Sequence, residues 1–252
     1  MDYAQSRLQA RFGERPNEFL WQNLEAALES AAALEIARSS VLKRWVAGIA
    51  PHADSHAIEL TLRACWRECV SEVAAWVPCS WQPALLWTRV LVDLPAVCYL
   101  ARGGVPLPWM LSDPLLQVYA RADSATRETL LREDFHALLG APRINSGRMP
   151  ALASPDLPQV RQAWLDEWRR RWPRWGDTTS LENLARLFDA AMQQRGEIGR
   201  PELLRRLRAL FRRSLLRPAA AFIYIAFAAL DIERLRAGLL KHDLRREGII
   251  PS

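Results

Sequence analysis

The residues that could take part in chemistry are few and widely spaced along the chain. Catalysis by side chains requires a nucleophile beside a base, or two titratable groups whose surroundings push their pKa values apart. The sequence contains no glycine-rich phosphate loop, no HExxH or GxSxG motif and no paired CxxC. We therefore predict that the chain has no catalytic residues, binds no cofactor and is not an enzyme.

Two small groups of residues resemble metal ligands, and each has a simpler explanation. His52, Asp54 and His56 could place two imidazoles around an ion, but Asp54 stands where a helix N-cap is expected. Cys65 and Cys69 lie on one face of the same predicted helix, without further ligands at matching positions. We interpret Asp54 as a cap and the cysteines as small buried apolar residues, and we predict no metal site.

A stretch rich in Trp and Arg could bind bases and phosphates of a nucleic acid, or lie at a membrane interface. Its tryptophans recur every three or four residues, which favours a helix that packs them inward and leaves the arginines in solvent. A second basic helix opens at Pro201 and allows the same choice between a solvated face and a surface that binds a partner. The residues concerned are Trp164, Trp168, Trp172, Trp175, Arg169, Arg170, Arg171, Arg174, Arg205, Arg206, Arg208, Arg212 and Arg213.

The last predicted helix is apolar all round over 219–230, so other helices must surround it. Its apolar run is too short to span a membrane, which takes about 20 residues. The helix then becomes abruptly polar, with Asp231, Glu233, Arg234 and Arg236. Acids at such a boundary require partners, and we expect Glu233 to pair with Arg234 or Arg236, within the helix or between helices.

The elements that must position these residues are helices. Half of the 252 residues are hydrophobic, 25% are charged and only 11 are glycine, which is typical of helix-forming sequences. Alternating Val, Ile and Thr are scarce, which argues against a substantial sheet. We predict an all-α bundle of about ten helices. It includes one long helix from Asn17 to about Arg38 and another from Ser80 to Arg102 with a kink at Pro95.

The domain organisation follows from one region that breaks helices. Residues 140–155 are rich in Pro and Gly among small and polar residues, which is typical of a linker or surface loop. The prediction is a single helical domain over 1–252, which allows two lobes, 1–139 and 156–252, joined by this loop.

The charge of the chain limits its partners only loosely. The formal net charge is +6, and among the 34 basic residues only Lys43 and Lys241 are lysines. This charge is compatible with an anionic protein partner, a membrane surface or RNA. The sequence opens without a basic leader and apolar stretch, so we expect a cytoplasmic protein whose four cysteines are reduced.

Four stretches resemble a known family, the C-type rotor-stalk subunits of V-type and archaeal-type ATPases, called d-type in eukaryotes. Residues 3–11 are similar to the family's first helix, a Tyr followed by Arg-x-x-Ala-Arg-like positions. Residues 58–63 resemble its Ile-Glu-x-x-Leu-Arg helix start, and 93–102 stand where it has an aspartate-rich Asn-Leu-x-x-x-x-Arg segment. Residues 224–236 are similar to its closing helix, with Glu233 and Arg236 at matching positions.

The chain also departs from this family. Pro95 and Arg234 stand where the family usually has Asn. The chain is shorter than typical members, so the resemblance implies that one of three similar helical lobes is reduced, near 140–158.

The resemblance implies a mechanical function without an active site. Members of the family form a funnel of helices on the membrane rotor ring, with a socket for the central shaft, and transmit torque between ATP hydrolysis and ion translocation. It implies a cytoplasmic protein that is peripheral on the membrane and held there by other ATPase subunits, with no nucleic acid. The interaction candidates are Arg169, Arg170, Arg171, Arg205, Arg208, Arg212, Glu233 and Arg236.

Two other classes of protein stay open from the residues alone. The net charge and the Trp/Arg stretch are compatible with a basic helical protein that binds nucleic acid, or with another kind of adaptor. A helical enzyme with a dispersed site would instead require a pocket where polar groups converge.

Overall fold

The computed structural model describes residues 1–139, 156–174, 178–193 and 199–246. In this part of the chain the fold has fourteen α-helices, three short 3-10 helices and no β-strand, which confirms the predicted all-α class. In chain order the α-helices are α1 (Asp2–Gly13), α2 (Glu18–Ala26), α3 (Ser30–Arg38), α4 (Lys43–Val46), α5 (Ser55–Trp76), α6 (Gln82–Trp87), α7 (Leu94–Ala101), α8 (Gln117–Arg121), α9 (Ser124–Asp134), α10 (His136–Leu139), α11 (Leu157–Arg170), α12 (Thr179–Gln193), α13 (Arg200–Arg213) and α14 (Ala219–Arg246).

Contacts between helices divide the chain into two compact units. Unit 1 comprises Met1–Pro78 together with Arg200–Ser252, and unit 2 comprises Cys79–Gly199. Both ends of the chain therefore belong to unit 1. These bounds are not those of the ranges 1–139 and 156–252, and the linker expected over 140–155 lies outside the described residues. The organisation into one domain or two lobes stays a prediction.

The core of unit 1 is built around α14. Every residue from Ala219 to Ala228 is buried, and α1, α3, α5 and α13 all contact this helix. The apolar run therefore has helices around it, as its composition predicts. With 28 residues, α14 is about 42 Å long at 1.5 Å per residue.

The long helix predicted from Asn17 to about Arg38 is two helices, α2 and α3, so the prediction of one continuous helix was wrong. Asn17 caps α2 as expected, because its side-chain oxygen accepts the N–H of Leu20 at 2.9 Å. The chain leaves the helix at Ala27, and Leu28, which follows the break, is 88% exposed. At 100° per residue, Ala33 would lie about 180° from Leu24 on one straight helix, so both could not face the same core. The break allows both to be buried.

The segment from Ser80 to Arg102 bends more than a single kinked helix would. It consists of α6, a 3-10 helix over Thr88–Val92 and α7, and the axis turns by 58° at the start of α7. Pro95 lies in the first turn of α7, where its missing N–H costs no helical hydrogen bond. The chain does bend near Pro95, but the predicted kink within one helix was wrong, because the proline begins a new helix.

Candidate functional site

The Trp/Arg stretch lies on α11 in unit 2, and its tryptophans pack inward as the spacing predicts. Trp164 and Trp168 are buried and stacked with ring centres 5.8 Å apart, and Trp172 meets Trp168 edge-on at 5.0 Å. The Trp87 indole N–H donates to the Trp164 carbonyl oxygen at 3.2 Å. Trp175 lies outside the described residues.

The three arginines at the end of α11 all have acidic neighbours in unit 2. Arg169 lies 3.3 Å from Asp166 and 3.8 Å from Glu182. Arg170 and Arg171 each lie 2.9 Å from Glu167. The Arg171 guanidinium also stacks over the Trp87 ring at 4.3 Å. This cluster largely neutralises its own charge.

The arginines of α13 fall into two groups. Near its start, Arg205 and Arg206 each bond to Glu202 at 2.6 Å, and these bonds lower the pKa of Glu202 to about 2. Near its end, Arg208, Arg212 and Arg213 are exposed. None of these three pairs with an acid among the described residues. Cations in the last turn also suit the negative end of the helix dipole.

The polar end of α14 binds other helices of unit 1, so the pairing expected of Glu233 with Arg234 or Arg236 was wrong. Glu233 has a side chain 70% exposed and lies 3.9 Å from Arg200. Arg236 approaches Glu59 of α5, with Nε to Oε2 at 3.0 Å but without hydrogen-bond alignment.

Arg234 makes the most extensive contacts of this group. Its guanidinium bonds to Glu18 and Glu25 of α2 at 2.5 to 2.9 Å and lies over the Trp21 ring at 5.1 Å. Its hydrogen bonds to the carboxylates of Glu18 and Glu25 raise the pKa of Arg234 above its ordinary value. On α2 the Arg234 guanidinium binds two carboxylates, whereas a pair within α14 would have given it only one.

A buried ion pair joins the two ends of the chain. The Arg15 guanidinium donates to both carboxylate oxygens of Asp231 at 2.7 and 2.8 Å. It also lies over the ring of Phe227 at 4.2 Å. Burial raises the pKa of Asp231, and the bonds from Arg15 oppose that shift. We did not single out Arg15 from the sequence, where its only signal is its position between the helix breakers Gly13 and Pro16.

A second polar group lies beside this pair and was also missed. Arg11 and Arg44 approach opposite oxygens of Glu72 at 2.8 and 3.3 Å, and Arg44 is 3.3 Å from the Tyr224 hydroxyl. Burial raises the pKa of Tyr224 to about 12. Because Arg11, Arg44 and Tyr224 come from distant parts of the sequence, their spacing carries no signal.

These two polar groups border one small cavity of unit 1. Its volume is about 30 Å³, enough for about one water molecule. Pockets for metabolites are usually ten times larger or more. The arginines, acids and tyrosine around it therefore hold helices together at this point and leave no room for a substrate.

The residues that resembled metal ligands have ordinary structural roles where they are described. Asp54 caps α5, since its side-chain oxygen accepts the Ala57 N–H at 2.8 Å. Cys69 is buried, which raises its thiol pKa to about 11, and Cys65 Sγ lies 3.6 Å from the Trp45 carbonyl oxygen. Within the described ranges no three His, Cys, Asp or Glu side chains cluster as metal ligands would.

By length and composition, no single described helix could cross a membrane, while one bent pair, Cys79–Val92 with Leu94–Ala101, passes that test.

Among the interaction candidates, the arginines at the end of α13 are thus the ones whose charge no described acid neutralises. Immediately after them, Leu215 and Leu216 are 46% and 55% exposed. We call Arg208, Arg212, Arg213, Leu215 and Leu216 the α13 surface. Exposed cations beside exposed apolar side chains can bind an anionic partner but provide no nucleophile or base. No protein-family model, curated protein or solved structure matches the chain.

Proposed function

We propose that the chain is a non-enzymatic rotor-stalk subunit of a V-type ATPase. In this role it forms a funnel-like helical body that links the central shaft to the membrane ring and transmits torque between them. It is held at the cytoplasmic face of the membrane by the other ATPase subunits. The proposal starts from the resemblance of four sequence stretches to the C-type rotor-stalk subunits of these ATPases.

The observation that carries the proposal is that three of those stretches pack together in unit 1. Residues 3–11 lie on α1, 58–63 on α5 and 224–236 on α14, and α14 contacts both other helices. Glu59 and Arg236, which both belong to the resembling motifs, form a charge pair at 3.0 Å. The likeness therefore falls on one packed part of the chain, unit 1.

The physical character of unit 1 suits a part that transmits force. Torque is transmitted without loss only when helices do not slide against one another. The Arg15–Asp231 pair and the contacts of Arg234 with α2 fix α14 against two segments from the start of the chain. The proposed contact with shaft or ring is the exposed Arg208, which pairs with no acid among the described residues.

Affinity purification of the tagged chain from gently solubilised membranes tests this proposal. Quantitative mass spectrometry should find the catalytic and ring subunits of a V-type ATPase at amounts close to that of the chain. The untagged strain provides the background. Recovery of the chain alone would contradict the proposal.

One observation favours a second candidate, a protein that binds nucleic acid. The sequence has no acidic residue between Glu202 and Asp231 but six arginines there, three of them on the α13 surface. Such a protein would bring RNA with it, and the RNA would dissociate steeply as salt is raised. Recovery of RNA in place of ATPase subunits would replace the first proposal by this one.

A further inference from the structure

The turn between α13 and α14 has a backbone that leucine rarely adopts. The Ser214 carbonyl oxygen accepts the N–H of Arg217 at 3.0 Å, so Leu215 and Leu216 are the two central residues of a β-turn. Leu216 has φ 61°, in the left-handed region, and is the only described residue other than glycine with positive φ. Glycine or asparagine is usual at this position of such a turn, because a Cβ is crowded there.

Both leucines of this turn also expose much of their apolar surface. Exposed fractions of 46% and 55% mean that neither side chain contributes fully to the core. A leucine at this position therefore strains the backbone and meets water at the same time. Strained residues that the surrounding fold holds in place are often found at binding sites.

Contacts with α1 hold this turn in place. The Leu216 N–H donates to the side-chain oxygen of Gln5 on α1 at 2.9 Å, and Gln5 is only 5% exposed. Phe211, in the last turn of α13, stacks on Phe12 with ring centres 4.6 Å apart. Ser214, the first residue of the turn, is fully buried. The two leucines are thus presented on a fixed support rather than on a loose loop.

The charged residues next to the turn along the chain are all arginines. Arg212 and Arg213 are exposed in the last turn of α13 and pair with no acid among the described residues. The sequence itself has no acidic residue from 203 to 230. The turn therefore combines an apolar tip with adjacent cations, which complements an apolar layer beneath a layer of negative charge.

We propose that this turn binds membranes that contain anionic phospholipids. Leu215 and Leu216 insert at the boundary between headgroups and acyl chains, and Arg212 and Arg213 bind lipid phosphates. Two adjacent leucines at a turn form a small tip that a bilayer accepts without a matching pocket, whereas a protein partner would have to provide one. The proposal assigns Arg212 to lipid rather than to a protein contact, and it does not depend on the proposed function.

Flotation of the purified full chain with lipid vesicles tests this inference. Vesicles of phosphatidylcholine alone are compared with vesicles in which a quarter of the lipid is phosphatidylglycerol. We expect binding only to the anionic vesicles, weakened by high salt. L216G should reduce binding roughly tenfold, because it removes one inserted leucine side chain. The same change places glycine where the backbone favours it, so its melting temperature should not fall through strain.

Matched variants separate insertion from general charge and hydrophobicity. Leu28→Ser removes another exposed leucine, one that lies between Glu25 and Glu29, and should leave binding unchanged. Arg169→Gln with Arg170→Gln removes two arginines from α11 and should bind better than Arg212→Gln with Arg213→Gln.

Absence of binding to anionic vesicles would overturn the proposal, as would equal binding by L216G and the wild type. Equal losses in the two arginine variants would likewise reduce the effect to net charge and overturn it. The assay contains only the chain and lipid, so its failure leaves the recovery of ATPase subunits unaffected.

Discussion

The carboxylate of Asp231 and the guanidinium of Arg15 are both largely buried and satisfy each other through two hydrogen bonds. A pair of this kind adds little over a well-packed apolar pair, because both charges lose their hydration. Removal of one partner is different, since the remaining charge stays buried without compensation. The pair is therefore most sensitive to single substitutions.

Asp231→Asn should lower the free energy of unfolding by about 3 kcal/mol, because the change leaves the charge of Arg15 buried and unbalanced. Urea denaturation followed by circular dichroism measures the difference. Glu233→Gln is the matched control two residues away, with an exposed side chain 3.9 Å from Arg200, and should cost much less. Equal costs for the two variants would show that the buried pair contributes no more than a surface contact.

The number of arginines in a helix did not predict which of them lack an acidic partner. The sequence presented the clusters on α11 and α13 as equivalent, and Glu167 and Glu202 were not weighed as their partners. Those acids neutralise Arg170, Arg171, Arg205 and Arg206 in the structure. Only the absence of acids over 203–230, which is visible in the sequence, would have singled out the end of α13.

At the scale of elements, α14 approaches α2 closely at one glycine. A Cβ added at Gly238 would overlap the Leu24 side chain, which is fully buried. Close approach of this kind needs a residue without a side chain, and it determines how tightly the two helices pack.

Gly238→Val should therefore destabilise unit 1 by about 2 kcal/mol, since extra methyl groups in a packed core force neighbours aside. Ala237→Val is the control at the exposed neighbouring position, and its lower helix propensity should cost only about 0.5 kcal/mol. Thermal unfolding of the two variants measures the difference. If Gly238→Val were as stable as Ala237→Val, α14 and α2 would not pack as closely at this glycine as the structure shows.

Helices with clear end signals could be predicted from the sequence, and others could not. α5 begins after its Asp54 cap, and α14 is buried from Ala219 to Ala228 as its apolar run requires. The break between α2 and α3 was missed because Leu24 and Ala33 both face the core, and only tertiary packing reveals this. The Arg15–Asp231 contact was missed because the residues lie 216 positions apart.

At the scale of the whole molecule, the first and last helices belong to one compact unit. The ion pair of Arg15 with Asp231 and the contact of Phe12 on α1 with Phe227 on α14, at 5.1 Å, connect the two ends. Such closure links chain segments over a long loop, which makes the unit depend on both ends being present. The proposed coupling function requires a compact unit whose helices are fixed to one another, because the torque must pass through that unit.

The most direct test of that function compares ATP hydrolysis with ATP-driven ion uptake in inverted membrane vesicles. Vesicles come from cells that encode the chain, from a strain that lacks it, and from that strain supplied with the chain again. We predict that loss of the chain leaves ATP hydrolysis measurable but abolishes ion uptake, and that resupply restores uptake. Unchanged uptake per ATP hydrolysed in the strain without the chain would contradict the account.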